Sequence, residues 1–194
     1  MTTLLSEIRA FTEGCHSELE AKFDIFNTIR NEDEYLVLLF KLQAFYTQAE
    51  HLLGKWSNEF NALGLVYEKR KKLDLILSDL RHFGRLEVAT QAPTVVLPAI
   101  ENFPQAVGSL YVLEGSTLGG QFISKYLKAV LKLSDNQAGI SFYQSYGPST
   151  GQMWKQFCEF LDRYSESLKE AGKDRQYVLD SAKSTFICIG QSLC

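Results

Sequence analysis

Apolar residues recur every three to four positions along nearly the whole chain, and the two-residue alternation of strands is essentially absent, so the pattern predicts an all-α protein. A first helix is expected over about residues 3–23, with Leu4, Leu5, Ile8, Phe11, Cys15 and Leu19 on one apolar arc. A second follows "NEDE", where Asn31 and Glu34 have capping-box spacing, and stops at Gly54. Its body, "YLVLLFKLQAFYTQAEHLL", is apolar around most of its circumference, which places it centrally. A third spans about 65–83 with Gly84 as its stop, followed by an irregular link holding Pro93 and Pro98. A fourth starts near Pro104 and runs to about Leu133. "GISFYQSYGPSTG" reads as a loop, and helices over about 150–170 and 174–192 close the chain. The expected architecture is one domain over residues 1–194, a bundle of about six long helices.

One stretch of the fourth helix departs from helix-forming composition. "EGSTLGGQ", residues 114–121, carries three glycines, each costing about 1 kcal/mol relative to alanine in a helix interior. At 100° per residue Gly108, Gly115 and Gly119 fall within about 40° of one another, flanked by Tyr111, Phe122 and Tyr126. A stripe without side chains admits either a neighbouring helix or a flat ligand to the backbone. The spacing leaves both open, since Gly115 and Gly119 also form a GxxxG pair. Gly120, about 100° off the stripe, is expected to bend or loosen the helix there.

The first helix carries matching candidates. His16 falls at the edge of its apolar arc, Arg9 lies on the same side two turns earlier, and Glu20 stands one turn on. From there Glu20 can accept a hydrogen bond from the ring nitrogen turned away from the core, the way ligating histidines are commonly oriented. A packed, purely structural histidine is the alternative at such a boundary.

Charge and composition narrow the partners. A net charge of -3 and a pI near 5.7 exclude the broad basic face a nucleic-acid binder needs. Only "EKRKK", residues 68–72, is densely basic, and with "LDLILSDL" behind it the run reads as the solvated face of a helix. "MTTLLSEIRAFTEG" has no secretory pattern, and no apolar run approaches the roughly 18 residues of a membrane span. Cys15, Cys158, Cys188 and Cys194 show neither CxxC nor metal-finger spacing, so a cytoplasmic location is expected.

"IRAFTEGCHSELE", residues 8–20, resembles the proximal segment of the heme oxygenase family, and "GSLYVLEGSTLGGQFISKYL", residues 108–127, resembles its distal helix. "RKKLDLILSDLRHFG" and "FYQSYGPSTGQMWKQF" resemble segments of the bacterial, biliverdin-producing branch in the same order, so the likeness spans most of the chain. The resemblance implies a helical bundle that sandwiches heme, which is substrate and cofactor at once. It implies His16 as axial iron ligand with Glu20 on the far nitrogen, and Gly115 and Gly119 over the opposite porphyrin face, leaving room for bent dioxygen. Tyr111 and Gly120 belong to the same wall, and Arg9, Lys125 and Lys155 match basic positions that meet the propionates. The implied reaction opens heme to biliverdin with release of carbon monoxide and ferrous iron. No GxGxxG fingerprint occurs, so electrons are expected from a partner such as a ferredoxin or reductase. Where many members have an aspartate after the first distal glycine, this chain has Ser116, a hydroxyl that together with water can still relay protons.

Three other readings compete. Glu13 and His16 form an ExxH pair, Asp79 and His82 a DxxH pair, and Glu50 and Glu114 could complete a di-iron carboxylate site. A non-catalytic heme-binding or storage protein would keep His16 without turnover. A bundle with no cofactor would use the glycines for packing alone.

Overall fold

Thr3 opens the first helix: its hydroxyl oxygen accepts the Ser6 N–H, and α1 (Leu4–Lys22) follows. The computed structural model describes residues 3–86, 95–133, 138–168 and 172–193, so Pro93 of the expected link lies outside the described residues. A short α2 (Ile25–Thr28) turns the chain, and Asn31 then caps α3 (Glu32–Gly54) by accepting the Glu34 N–H at 2.9 Å. Glu34 reaches back one residue further than a capping box requires, accepting the Arg30 N–H at 2.6 Å. As its all-round apolar sequence predicts, α3 is central, burying Tyr35, Leu39, Phe45 and Leu53 among others.

After α4 (Ser57–Ala62), the expected third helix is shorter than its sequence suggests. Residues Tyr67–Arg70 form a single 3₁₀ turn, and α5 (Leu73–His82) starts only at Leu73. The start is fixed from α3, because one Glu50 carboxylate oxygen accepts both the Lys72 and the Leu73 N–H. Gly84 ends the segment at φ 66°, the left-handed conformation glycine supplies freely.

The expected thirty-residue fourth helix is instead three pieces. These are α6 (Phe103–Gly115), a 3₁₀ turn over Ser116–Gly119, and α7 (Gly120–Val130). Ser116 and Thr117 donate their hydroxyls to carbonyls three residues back, Leu113 and Glu114, at 2.8 and 2.7 Å, which favours the tighter winding. The expected loop also contains helix: α8 (Ser141–Gln144) is pinned by Asp79, whose two carboxylate oxygens accept the Ser141 and Phe142 N–H groups at 2.7 and 2.9 Å. Two long helices, α9 (Thr150–Ser167) and α10 (Gly172–Leu193), close the chain as expected.

α10 packs along both α6 and α1. It crosses α6 at Gly108, where a Cβ would collide with the Val178 carbonyl. Beside that crossing Ser109, Ser181 and Thr185 exchange buried hydroxyl hydrogen bonds of 2.9 and 3.0 Å, so the polar atoms at the contact are satisfied. Seven helices of ten residues or more result, and no strand occurs among the described residues. No described helix is long and apolar enough to cross a membrane.

Candidate functional site

A cavity of about 360 Å³ opens between α1 and the α6–α7 junction, with α3, α8, α9 and α10 closing its sides. Its walls are mostly apolar, supplied for example by Leu42, Phe45, Phe142 and Trp154. Apolar lining with a few convergent polar groups is the usual make-up of a ligand site.

α1 contributes His16, Glu20 and Arg9 to this cavity. The His16 side chain is 58% exposed, at the core–solvent edge, and its Nδ1 lies 3.4 Å from Glu20 Oε2 one turn on. Phe186 of α10 packs edge-on against the imidazole, with centroids 5.8 Å apart. The ring is thus held from two sides, and its Nε2 stands outside the Glu20 contact. Arg9 and Thr12 lie toward α6, beside the Tyr111 hydroxyl. Burial raises the Tyr111 pKa, and these two partners pull the other way. Phe11, assigned to the apolar arc, is instead 41% exposed, and Thr12 takes the buried position with its hydroxyl on the Ile8 carbonyl.

On the opposite wall the four glycines divide by task. Gly115 and Gly119 face the cavity: a Cβ at Gly119 would meet nothing within 4 Å, and one at Gly115 would only graze Trp154 at 3.9 Å. Gly108 serves the helix crossing described above, and Gly120 admits the backbone of α8, since a Cβ there would collide with the Tyr143 carbonyl. Helix crossing therefore accounts for Gly108, while Gly115 and Gly119 leave the cavity wall open. As expected, the helix departs from α winding beside Gly120, over Ser116–Gly119; at Gly120 itself, which touches the cavity, close backbone packing is what excludes a side chain.

"EKRKK" also needs correction. Arg70 and Lys72 are not solvated; both side chains are only 3% exposed, drawn in by Glu114, itself 1% exposed. Arg70 Nη1 donates to Glu114 Oε2 at 2.7 Å and to the Met153 carbonyl at 2.9 Å. Lys72 Nζ donates to the Arg70 carbonyl and to Tyr146 Oη at 2.7 and 2.5 Å, with Glu114 Oε1 at 3.5 Å. Lys72 lines the cavity, as do Tyr46 of α3 and Ser116. Burial lowers the Lys72 pKa to about 8 despite the attraction of Glu114, and burial raises those of Tyr46 and Tyr146. Sequence reasoning missed this cluster, although one signal was present: Glu114 is the sole charge in "FPQAVGSLYVLEG", and a carboxylate in so apolar a helix needs a buried cation.

Two candidates for anion binding lie elsewhere. Lys125 is exposed on α7 and Lys155 is exposed on α9 beside Glu159 at 3.9 Å; neither lines the cavity. Phe122, expected on the glycine face, is 78% exposed, and Tyr126 donates its hydroxyl to the Phe26 and Ile29 carbonyls. The carboxylates of the di-iron reading are dispersed and engaged. Glu50 caps α5, Asp79 caps α8, Glu114 holds Arg70 and Lys72, and no group of three or more possible His, Cys, Asp or Glu ligands gathers among the described residues.

An all-α protein with an apolar slot between a histidine-bearing helix and a glycine turn is thereby defined. The family model for heme oxygenase matches residues 2–192, and the chain belongs to that family. No curated protein sequence matches it. Among solved structures, the NO- and CO-bound heme oxygenase of Neisseria meningitidis superposes with a TM-score of 0.77 at 20% identity, covering 100% of this chain and 91% of that one. The heme oxygenase of Leptospira interrogans gives 0.76 at 20% identity, covering 99% and 98%. The heme complex of a Synechocystis heme oxygenase gives 0.74 at 16% identity, covering 99% and 91%. At these identities the likeness carries the fold.

Proposed function

We propose that this protein is a heme oxygenase that opens heme to biliverdin, releasing carbon monoxide and ferrous iron, with dioxygen as oxidant and electrons from a separate ferredoxin or reductase. The observation that carries the reading is the apolar cavity, bounded on one side by His16 and on the other by two glycines whose absent side chains leave it open. Family membership and the heme held by the Synechocystis relative support it.

The residues present fit a planar macrocycle. His16 would hold the iron through Nε2, while Glu20 at Nδ1 fixes the ring orientation and raises its basicity. Gly115 and Gly119 keep the opposite face clear for a bent diatomic ligand, which any longer side chain would obstruct. Arg9, which lines the cavity, is the propionate partner best placed there, and Lys125 and Lys155 would serve only from outside its lining. Bound heme supplies both the redox-active iron and the carbon skeleton that is oxidised. The apolar walls exclude bulk water, and the Ser116 hydroxyl, tied to the Leu113 carbonyl, offers a fixed polar atom beside the glycines.

The test is a hemin titration followed by reductant and air, read by absorption. A heme band that changes in His16→Ala, and conversion to a bilin in the unmodified protein, are expected. Binding without conversion would favour a storage protein, and no heme band at all would refute the proposal.

A further inference from the structure

Asp79 of α5 is fully buried and does not line the cavity, yet its carboxylate is committed to a segment that does. Its two oxygens accept the N–H groups of Ser141 and Phe142, the first residues of α8, at 2.7 and 2.9 Å. α8 supplies Phe142 and Tyr143 to the cavity wall, and the Tyr143 carbonyl abuts Gly120 where the glycine turn ends. The beginning of that turn is tied to the same stretch of chain, because Glu114, directly before Gly115, holds Arg70 and Lys72 just ahead of α5. Resting on the function proposed above, we infer that Asp79 is a positioning residue for the glycine wall. Acting through α8, it fixes where Gly119 and Gly120 stand across the cavity from His16, and with them the room left for a diatomic ligand.

α8 cannot hold itself in place. Four residues make a single turn, far below the length at which a helix is stable alone, and no side chain caps its start at Ile140. A carboxylate taken out of water is costly unless its lone pairs are matched, so the two N–H bonds hold Asp79 as much as they hold α8. Burial raises the Asp79 pKa, while the Phe142 and Ser141 N–H groups and the nearby His82 pull the other way.

Packing passes that position on to the turn. α8 packs against both α5 and α7, with Tyr46 edge-on to Phe142 at 5.2 Å and Tyr35 beside Tyr143 at 6.4 Å between ring centroids. The Tyr143 carbonyl leaves no room for a Cβ at Gly120. A displacement of α8 therefore reaches the turn backbone directly, with no flexible side chain between them to absorb it. Glu114 anchors the turn where it begins, and α8 meets it where it ends.

The test starts from ligand-free protein, with backbone amide exchange followed by NMR. Asp79→Ala should speed exchange by at least about tenfold at Ser141 and Phe142, which lose a charged acceptor, and also at Gly119 and Gly120. Asn102→Ala controls for lost stability in general: it removes the cap at the far end of α6, where Asn102 accepts the Gln105 N–H at 3.0 Å, and should leave Gly119 and Gly120 unchanged. Faster exchange confined to Ser141 and Phe142 would make Asp79 a local cap and overturn the inference, as would equal acceleration of the glycines in both variants.

Hemin-loaded, reduced protein under carbon monoxide is then read by its C–O stretching band. Asp79→Ala should broaden or split the single band of the unmodified protein. Gly120→Ala, which pushes on the same contact from the other side, should do likewise, and Asp79→Asn, which keeps one acceptor oxygen, should fall between. An unchanged band in Asp79→Ala, with hemin bound and circular dichroism intact, would overturn the inference. Should Asp79→Ala not fold, Asp79→Asn carries both comparisons. If the unmodified protein binds no hemin, the proposed function is refuted, and exchange at Gly119 and Gly120 alone decides the role of Asp79.

Discussion

Tyr143 presents its backbone carbonyl so close to Gly120 that no Cβ fits between them, while one residue earlier Gly119 faces open space. Adjacent glycines thus answer to different constraints, and alanine separates them. Gly120→Ala must push α8 away, and should destabilise the protein by about 1–3 kcal/mol. Gly119 has φ -80° and ψ -11°, which alanine adopts freely, so Gly119→Ala should leave stability unchanged or raise it by about 0.4–1 kcal/mol. Its cost should appear in ligand access, as weaker binding of a diatomic such as carbon monoxide to the hemin-loaded, reduced protein. Urea unfolding and ligand titration of both variants check this; equal stability losses would contradict the division.

The Glu114 carboxylate neutralises two buried cations at once, holding Arg70 at 2.7 Å and Lys72 at 3.5 Å. Glu114→Ala should therefore cost about 3–5 kcal/mol, because it strands both charges. Replacing Arg70 by Met as well should recover part of that loss, since one stranded charge is removed along with its partner. A double variant no more stable than Glu114→Ala alone, measured by denaturant midpoint, would argue against the charge explanation.

Much of this was legible because period and caps are local. The helix boundaries at Thr3, Asn31 and Gly84 follow from side chains within four residues, and the apolar circumference of α3 announces a central position. What was not legible depends on contacts distant in sequence. The basic run at 68–72 looks like a solvated helix face until Glu114 and Tyr146, more than forty and seventy residues on, turn two of its cations inward. Gly108 and Gly120 likewise have no local reason to be glycine; the carbonyls of Val178 and Tyr143 supply it. For the candidate site, the spacing of His16, Glu20 and Arg9 on one helix face could be read directly. Tyr46 and Lys72 could not, because α3 and the start of α5 join that cavity only through tertiary packing.

Glu20 accepts no burial cost for its contact with His16: its side chain is 72% exposed and Nδ1 lies 3.4 Å away. Loss of an outer partner to a ligating histidine typically lowers metal affinity by about 10–100-fold, and this exposure argues for the lower end. Glu20→Gln should thus weaken hemin binding by no more than about tenfold, whereas His16→Ala should abolish the axial histidine signature in the spectrum. Equal effects of the two substitutions on the spectrum would mean that Glu20, not His16, carries the interaction.

Lys72 and the buried tyrosines give the stability opposite dependences on alkaline pH. The Lys72 pKa is lowered to about 8, so between there and the usual value of 10.5 the unfolded chain binds more protons, and stability rises as pH increases. Burial raises the pKa of Tyr35, Tyr46, Tyr67, Tyr143, Tyr146 and Tyr164 above the usual 10.0. Their contribution is complete below pH 10 and is lost as pH climbs toward their folded values, because the unfolded chain ionises first. Each can cost up to about 1.4 kcal/mol per pH unit, so together they override the single lysine. Denaturant midpoints should therefore rise slightly from pH 8 to 10 and fall steeply beyond it, with the tyrosinate absorbance of these six residues appearing only as helical structure disappears. Lys72→Met should remove the rise and keep the fall. Ionisation of these six tyrosines completed at pH 10 in the folded protein would show that their hydroxyls are open to water and would refute the prediction.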